Sequence, residues 1–164
     1  MCIRDRLVKP QLGQNIGSVA RVMKNLNFKN LRLVNPRDGW PNQDVISTAA
    51  GATDVITNTE VFDNVSEACN DLNYLFASSG RKRDLNIKTL NLVKTVSSLN
   101  KNEFSRNDFK FGILFGCESS GLSNEDLITA NQLIYIPSNS DFSSLNISHA
   151  CLLYTSPSPR DSSP

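Results

Sequence analysis

Apolar and polar positions along the chain follow two periods in turn. In NIGSVARVMKNLNF (15–28), Ile16, Val19, Ala20, Met23 and Leu26 recur at helical spacing, and Asn15 stands where an N-cap would. KFGILFG (110–116) is a continuous apolar run, the pattern of a strand buried on both faces. Shorter runs predict further strands: LVKP (7–10) as the end of a first one, LRLVNP (31–36), DVIT (54–57), NYLFASSG (73–80) and QLIYIP (132–137). Between them the pattern predicts helices over 44–52, ending near Gly51, and over 65–72, with Ser66 as cap. Another is predicted over 90–100, where β-branched residues weaken the signal. Ser123 and Asp126 mark a capping-box start, and SLNISHA (144–150) begins a final helix. Strands alternating with helices predict an α/β domain with a mostly parallel sheet flanked by helices. No repeat, low-complexity segment or linker interrupts residues 7–150.

A length of 164 residues suits one domain, and 39% hydrophobic with 20% charged residues is ordinary for a globular chain. No apolar run approaches the roughly 20 residues of a membrane span, and no secretory signal pattern is present. With 17 basic and 16 acidic residues, any nucleic-acid contact must come from a local patch. MCIRDR at the start and LLYTSPSPRDSSP at the end do not read like the interior; both resemble translated sequencing-adapter read-through. Residues 1–6 and about 152–164 are therefore expected to be non-native. Without Arg4, Arg6, Arg160, Asp5 and Asp161 the chain keeps 14 basic and 14 acidic residues. The widely spaced Cys69 and Cys117 give neither a disulfide framework nor a metal spacing, so the expectation is a reducing cytoplasm and no metal.

Three polar segments follow predicted strands. FGCESSGL (115–122) sets Glu118 between Gly116 and Gly121 at the mouth of the buried strand, where ligands of open α/β sheets gather. SSGRKRD (78–84) carries three cations beside a glycine turn and reads equally as a solvated loop or a phosphate-contacting patch. IPSNSDFSSLNISHA (136–150) offers Ser143, Ser144 and Asn146 as capping groups. In NIGSVAR, Asn15 and Arg21 lie nearly two turns apart; they could share a face or flank one end, but the segment alone favours a cap and a solvated charge. Gly17 is costly in a first turn and implies close approach by a backbone or a ligand. His149, the only histidine, has no Ser or Cys motif to pair with and reads as a packed helix residue. Cys117 reads as a lining residue, and there is no P-loop or dinucleotide-binding fingerprint.

NIGSVAR, FGCESSGL and IPSNSDFSSLNISHA, in this order, resemble the three motifs of the SpoU branch of the SPOUT RNA methyltransferases. LVNPRD, AAGATDVI and SSGRKR resemble most nearly the TrmJ-like tRNA 2′-O-methyltransferases, and the likeness covers about residues 7–150. It implies a C-terminal trefoil knot, a homodimer, and S-adenosylmethionine bound bent in the knot loops. Ser78, Ser79, Gly80, Gly116, Ile136, Ser143, Ser144 and Leu145 would hold that cofactor, largely through backbone. The reactive constellation would be Asn15, Arg21, Glu118, Ser144 and Asn146, and Arg81, Lys82 and Arg83 would touch tRNA. The implied reaction is in-line attack of a ribose 2′-hydroxyl, in the anticodon loop by the TrmJ likeness, on a sulfonium methyl. A guanidinium stays protonated, so Arg21 would bind phosphate and steady the alkoxide while Glu118 braces the site.

Rival readings are methylation of ribosomal RNA or another tRNA position, a noncatalytic RNA-binding module of this fold, and a generic nucleotide-binding protein. In the family the last helix continues, completing the knot and helping to pair subunits. Here it turns into SPSPRDSSP after about one and a half turns, which predicts impaired folding or dimerisation. Cys117 replaces a residue often basic in relatives, an expected small loss of RNA contact.

Overall fold

The computed structural model describes residues 2–81, 84–91, 108–136, 138–139 and 145–155. The elements in chain order are β1 (Cys2–Val8), α1 (Gly13–Asn25), β2 (Leu31–Val34), α2 (Gln43–Ala49), α3 (Thr53–Thr57), β3 (Glu60–Phe62) and α4 (Val65–Cys69). They continue with β4 (Tyr74–Ser79), β5 (Thr89–Asn91), β6 (Lys110–Phe115), α5 (Asn124–Ile128), β7 (Gln132–Tyr135) and α6 (Ile147–Thr155). Among the described residues the strands form one parallel sheet in the order β3-β2-β1-β6-β4-β7-β5. The expected α/β class with a parallel sheet flanked by helices is thus observed. No helix among the described residues is long and apolar enough to cross a membrane.

Each face of the sheet has its own core. Leu7, Leu31, Leu33, Phe76, Phe111, Ile113 and Phe115 point to one face, which is covered by Ile16, Val19 and Met23 of α1, Val45 of α2 and Cys151 of α6. Val8, Val34, Leu75, Ala77, Leu114 and Leu133 point to the other, covered by Ala68 of α4 and Leu127 of α5. This two-sided burial is why β6 reads as an unbroken apolar run.

Several elements differ from the sequence reading. DVIT, expected as a strand, lies in helix α3: Val55 is buried, the Thr57 hydroxyl donates to the Thr53 carbonyl at 2.8 Å, and Lys24 pairs with Asp54 at 2.6 Å. Packing against α1 thus overrides the β-propensity of the run. The strand beside β2 is instead β3, three residues long and mostly exposed. Residues 90 and 91, expected to begin a helix, lie instead in edge strand β5 beside β7; residues 92–100 lie outside the described residues. The cap of α4 is Asn64, whose side chain accepts from the Glu67 N–H at 2.9 Å, and not Ser66. Helix α6 runs nine residues to Thr155, about two and a half turns, longer than expected.

Gly17 explains itself through packing. A Cβ there would collide with Thr48 Oγ1 and come within 2.7 Å of the Val45 carbonyl oxygen, so α1 and α2 touch nearly backbone to backbone. Gly17→Ala is expected to lower stability by about 1–3 kcal/mol through overpacking, read as a lower denaturant midpoint at unchanged slope. An unchanged midpoint would refute the close contact.

The interior strand β1 is chemically unlike its neighbours. Arg6 is fully buried; its Nε donates to the Ala68 carbonyl at 2.7 Å and its guanidinium pairs with Asp71 at 3.1 Å. Arg4 and Arg32 pair with the same carboxylate. Burial works against ionisation of Asp71, yet Arg6, Arg32 and Arg4 outweigh it and hold its carboxyl below the ordinary range. Asp5 points to the opposite face and is fully buried; among the described residues it accepts from the Cys151 thiol, at 3.4 Å, and its Oδ1 has no hydrogen-bond partner. Burial pushes its carboxyl up to about 6, against the smaller effects of Cys151 and Arg6.

Candidate active site

The carboxyl ends of the adjacent strands β6, β4 and β7 open into a cavity of about 410 Å³. Its walls are the backbone-rich turns Ser78–Arg81 and Gly116–Gly121, with Leu122, Ile136, Leu145, Ile147 and Ala150 as apolar lining. Parallel strands end together, so their following loops converge on one edge. The Ser78 hydroxyl donates to the Leu114 carbonyl at 3.1 Å, locking β4 to β6. The Ser79 hydroxyl donates to the Arg81 carbonyl at 2.6 Å, and the Ile136 N–H donates to the Ser79 carbonyl at 3.2 Å. Both serine side chains therefore shape the turn. At Gly116 a Cβ would overlap the Gly121–Leu122 peptide, so this glycine lets the turn close on itself.

Glu118 stands at the rim of this cavity. It accepts from the Gln11 N–H at 2.8 Å, the Leu12 N–H at 3.3 Å and Asn15 Nδ2 at 2.9 Å. A carboxylate only accepts, so the Asn15 amide has one allowed orientation, its oxygen facing away from Glu118. That oxygen accepts from Asn146 Nδ2 at 3.0 Å. Asn146 Oδ1 accepts in turn from the Ser148 N–H at 2.9 Å and the Ser148 hydroxyl at 2.7 Å, at the start of α6. The chain of donors runs one way, from Ser148 through Asn146 and Asn15 to Glu118. It joins three segments, the first of them in sequence lying more than 100 residues from the other two.

Asn15 is accordingly not the cap of α1. Leu12 holds that place, and Asn15 sits in the first turn with its side chain committed to Glu118 and Asn146. Arg21 lies exposed on α1, forms no hydrogen bond or ion pair among the described residues, and does not line the cavity. His149 is exposed on α6. Gly80, Arg81, Gly116, Cys117, Ile136 and Leu145 all line the cavity together with Ser78 and Ser79. Lys82, Arg83, Ser143 and Ser144 lie outside the described residues. Partial burial works against the Cys117 thiolate, but hydrogen bonding to Ser120 and Ser119 prevails and lowers its thiol below the ordinary value. Among the described residues no group of three or more His, Cys, Asp or Glu is placed to hold a metal. Ser148 and the Gln11 and Leu12 N–H groups escaped the sequence reading. Ser148 stands two residues after an asparagine at a helix start, a recognisable capping signal, whereas the Gln11 N–H carries none.

A family model described as the SpoU rRNA methylase family matches residues 6–156. The chain belongs to that family. Among curated SpoU relatives, the tRNA (cytidine-2′-O-)-methyltransferase TrmJ of Methanocaldococcus jannaschii is 33% identical over 145 residues, covering 88% of this chain and 61% of the relative. The tRNA (cytidine/uridine/adenosine-2′-O-)-methyltransferase TrmJ of Pseudomonas aeruginosa is 32% identical over 153 residues, with 93% and 58% covered. The chain thus spans about three-fifths of the length of the curated relatives it matches. The crystal structure of TrmJ from Z. mobilis superposes with a TM-score of 0.86 at 37% identity, over 94% of this chain and 67% of that one. The expected likeness to TrmJ-like members of the SpoU family therefore holds.

Proposed function

We propose that this chain carries the cofactor-binding and catalytic unit of an S-adenosylmethionine-dependent RNA 2′-O-ribose methyltransferase acting on the anticodon loop of tRNA. One observation carries the reading: the donor relay from Ser148 to Glu118 fastens all three motif segments at the rim of a strand-end cavity. The names of the TrmJ relatives favour tRNA over ribosomal RNA. An inert RNA-binding module has no need of so complete a polar constellation.

The cavity suits the cofactor. Its volume falls within the range of about 300–1,000 Å³ typical of small-molecule sites. Leu122, Ile136 and Leu145 offer an apolar wall to an adenine, and the open turns at Gly80 and Gly116 offer backbone donors and acceptors. Ser143 and Ser144 are proposed to complete it. When bound, S-adenosylmethionine supplies an electrophilic methyl, so the protein's share is chiefly alignment. Glu118 already accepts three N–H groups and is a poor choice of base; it holds Asn15, which with Asn146 orients the ribose. Arg21⁺ clamps the neighbouring phosphate and steadies the developing alkoxide, while the 2′-hydroxyl proton passes to solvent as the O–CH₃ bond forms and the methyl–sulfur bond breaks.

Because Arg21 stands away from its own cavity, a homodimer that brings it to the partner's cavity is part of the proposal. So is a trefoil knot in the C-terminal part of a domain spanning 7–150, with residues 1–6 and about 152–164 foreign to it. Arg81, Lys82 and Arg83 contact tRNA backbone. A reducing cytoplasm fits the free thiols of Cys69, Cys117 and Cys151.

The test incubates the chain with radiolabelled S-adenosylmethionine and unmodified bulk tRNA, followed by nucleoside analysis, with Arg21→Ala in parallel. A 2′-O-methylated nucleoside that falls at least about 100-fold in the variant is expected. Failure of a folded dimer to bind the cofactor would sink the reading.

A further inference from the structure

A second cavity, of about 560 Å³, lies beside the first and shares Arg81, Cys117, Ser120, Gly121 and Leu122 with it. We propose that it is the subsite for the nucleotide next to the methylated one, its phosphate held between Lys9 and Arg81. The inference rests on the methyltransferase reading.

Lys9 follows the end of β1, and Arg81 follows the end of β4. Strand β6 lies between these two, so the cations flank the Cys117–Gly121 turn and line one hollow. Neither side chain has a hydrogen bond or ion pair among the described residues, and both are exposed. Lys9 is held in an unusual conformation, φ 50°, with its N–H donating to the Val34 carbonyl at 2.7 Å. A non-glycine residue in the left-handed region is uncommon and is maintained by its surroundings. Here the strand-end bond fixes where the lysine leaves the sheet. Arg81 is fixed likewise, through the grip of Ser79 on its backbone.

The rest of the lining argues for a nucleotide and against a small free anion. Glu125 and Asp126, at the start of α5, face the same cavity, although the Asp126 carboxylate is engaged by the Ser123 N–H at 3.0 Å and the Ser123 hydroxyl at 2.7 Å. Two carboxylates against two cations leave no net charge to draw in a bare anion. Val8 and Leu122 add an apolar patch. A nucleotide presents a phosphate and a flat base together, and the wall shared with the first cavity sets it next to the proposed cofactor site.

The experiment measures binding of fluorescently labelled unmodified tRNA to the full chain across a salt series, for Lys9→Asn and Lys9→Arg. Asparagine tolerates positive φ, so the first variant removes the charge with little backbone cost. Lys9→Asn is expected to weaken tRNA binding about 3–10-fold at low salt and to reduce the log–log salt slope by about one, and Lys9→Arg to keep both. S-adenosylmethionine affinity, measured by calorimetry, should match the unaltered chain. An unchanged tRNA affinity and slope in Lys9→Asn would overturn the subsite alone. No tRNA binding by the unaltered chain would overturn the subsite together with the tRNA reading, while cofactor binding would still report on the methyltransferase fold.

Discussion

Glu118→Gln is expected to lower the turnover number for RNA methylation about 100-fold while changing S-adenosylmethionine affinity by less than about threefold. The substitution keeps shape and removes charge. The carboxylate accepts two backbone N–H groups and the Asn15 amide, whereas glutamine has one oxygen and an NH₂ group that can only donate. Whichever way the new amide turns, a donor meets a donor. If its NH₂ faces Asn15, the Asn15 amide must flip, and its Nδ2 then confronts Asn146 Nδ2. The disturbance would pass along the relay to the start of α6, displacing groups proposed to orient the ribose. Lost charge-assisted bonds at this half-buried site also imply a stability loss of about 2 kcal/mol. A purely structural role makes a different prediction: a lower melting temperature with normal turnover well below it. Measuring kcat, cofactor affinity and Tm on the same preparation separates the two.

Asp5→Val is expected to stabilise the protein by about 3 kcal/mol at neutral pH, the size of a two-unit pKa elevation. Asp5 is fully buried in interior strand β1 and, among the described residues, receives one weak thiol donor and has an unpartnered oxygen. Valine fits the strand and the apolar face. The sign with pH follows from the raised pKa. Between about 4 and 6 the folded state binds the proton more readily than the unfolded chain, so the Asp5 contribution is least unfavourable below about 4. Stability is then lost as pH rises through about 6, beyond which the full penalty of a buried carboxylate remains. Asp71 works oppositely, because its depressed pKa makes its three arginine pairs favourable at neutral pH and weaker in acid. Subtracting the unaltered chain's stability profile from that of Asp5→Val cancels the Asp71 contribution and isolates Asp5: the advantage of Asp5→Val should shrink from pH 7 to pH 4. A constant difference across that range, or a loss, would refute the buried-charge account. A gain would agree with the proposal that residues 1–6 are foreign to the domain.

The parts of the fold that were legible in the sequence are those whose side-chain pattern repeats. KFGILF showed β6 because a strand covered on both faces needs apolar residues at every position. The stripe from Ile16 to Met23 showed α1 because only one side of it meets the sheet. The Ser123–Asp126 capping box was legible because both partners are local, and both its bonds are present. DVIT was misread because its helix depends on α1 next to it, and β3 was missed because a short, exposed edge strand has little pattern to display. For the candidate site, Glu118 and its glycines announced a strand-end loop. Its actual work is done on Gln11, Leu12 and Asn15, partners that no spacing in the sequence could reveal. Likewise Asn15 looked like a cap since asparagine usually is one; the side chain instead reaches across to Asn146, 131 residues away.

The strand order has a consequence for how the chain is made. Strands β1, β2 and β3 are successive neighbours, so once the chain as far as about residue 70 has left the ribosome, a set able to pair on its own has been released. Strand β4 comes next but has no place beside them, because its neighbours β6 and β7 have not yet been made. Until residues 110–115 emerge, the inner edges of β1 and β4 both present unpaired N–H and C=O groups, the kind of edge that recruits another chain. Strand β6 closes both at once and in the same act delivers Glu118 to Gln11, Leu12 and Asn15. Late synthesis of this one strand therefore makes assembly slow and non-local. It also ensures that an unfinished chain has neither a closed sheet nor a working relay.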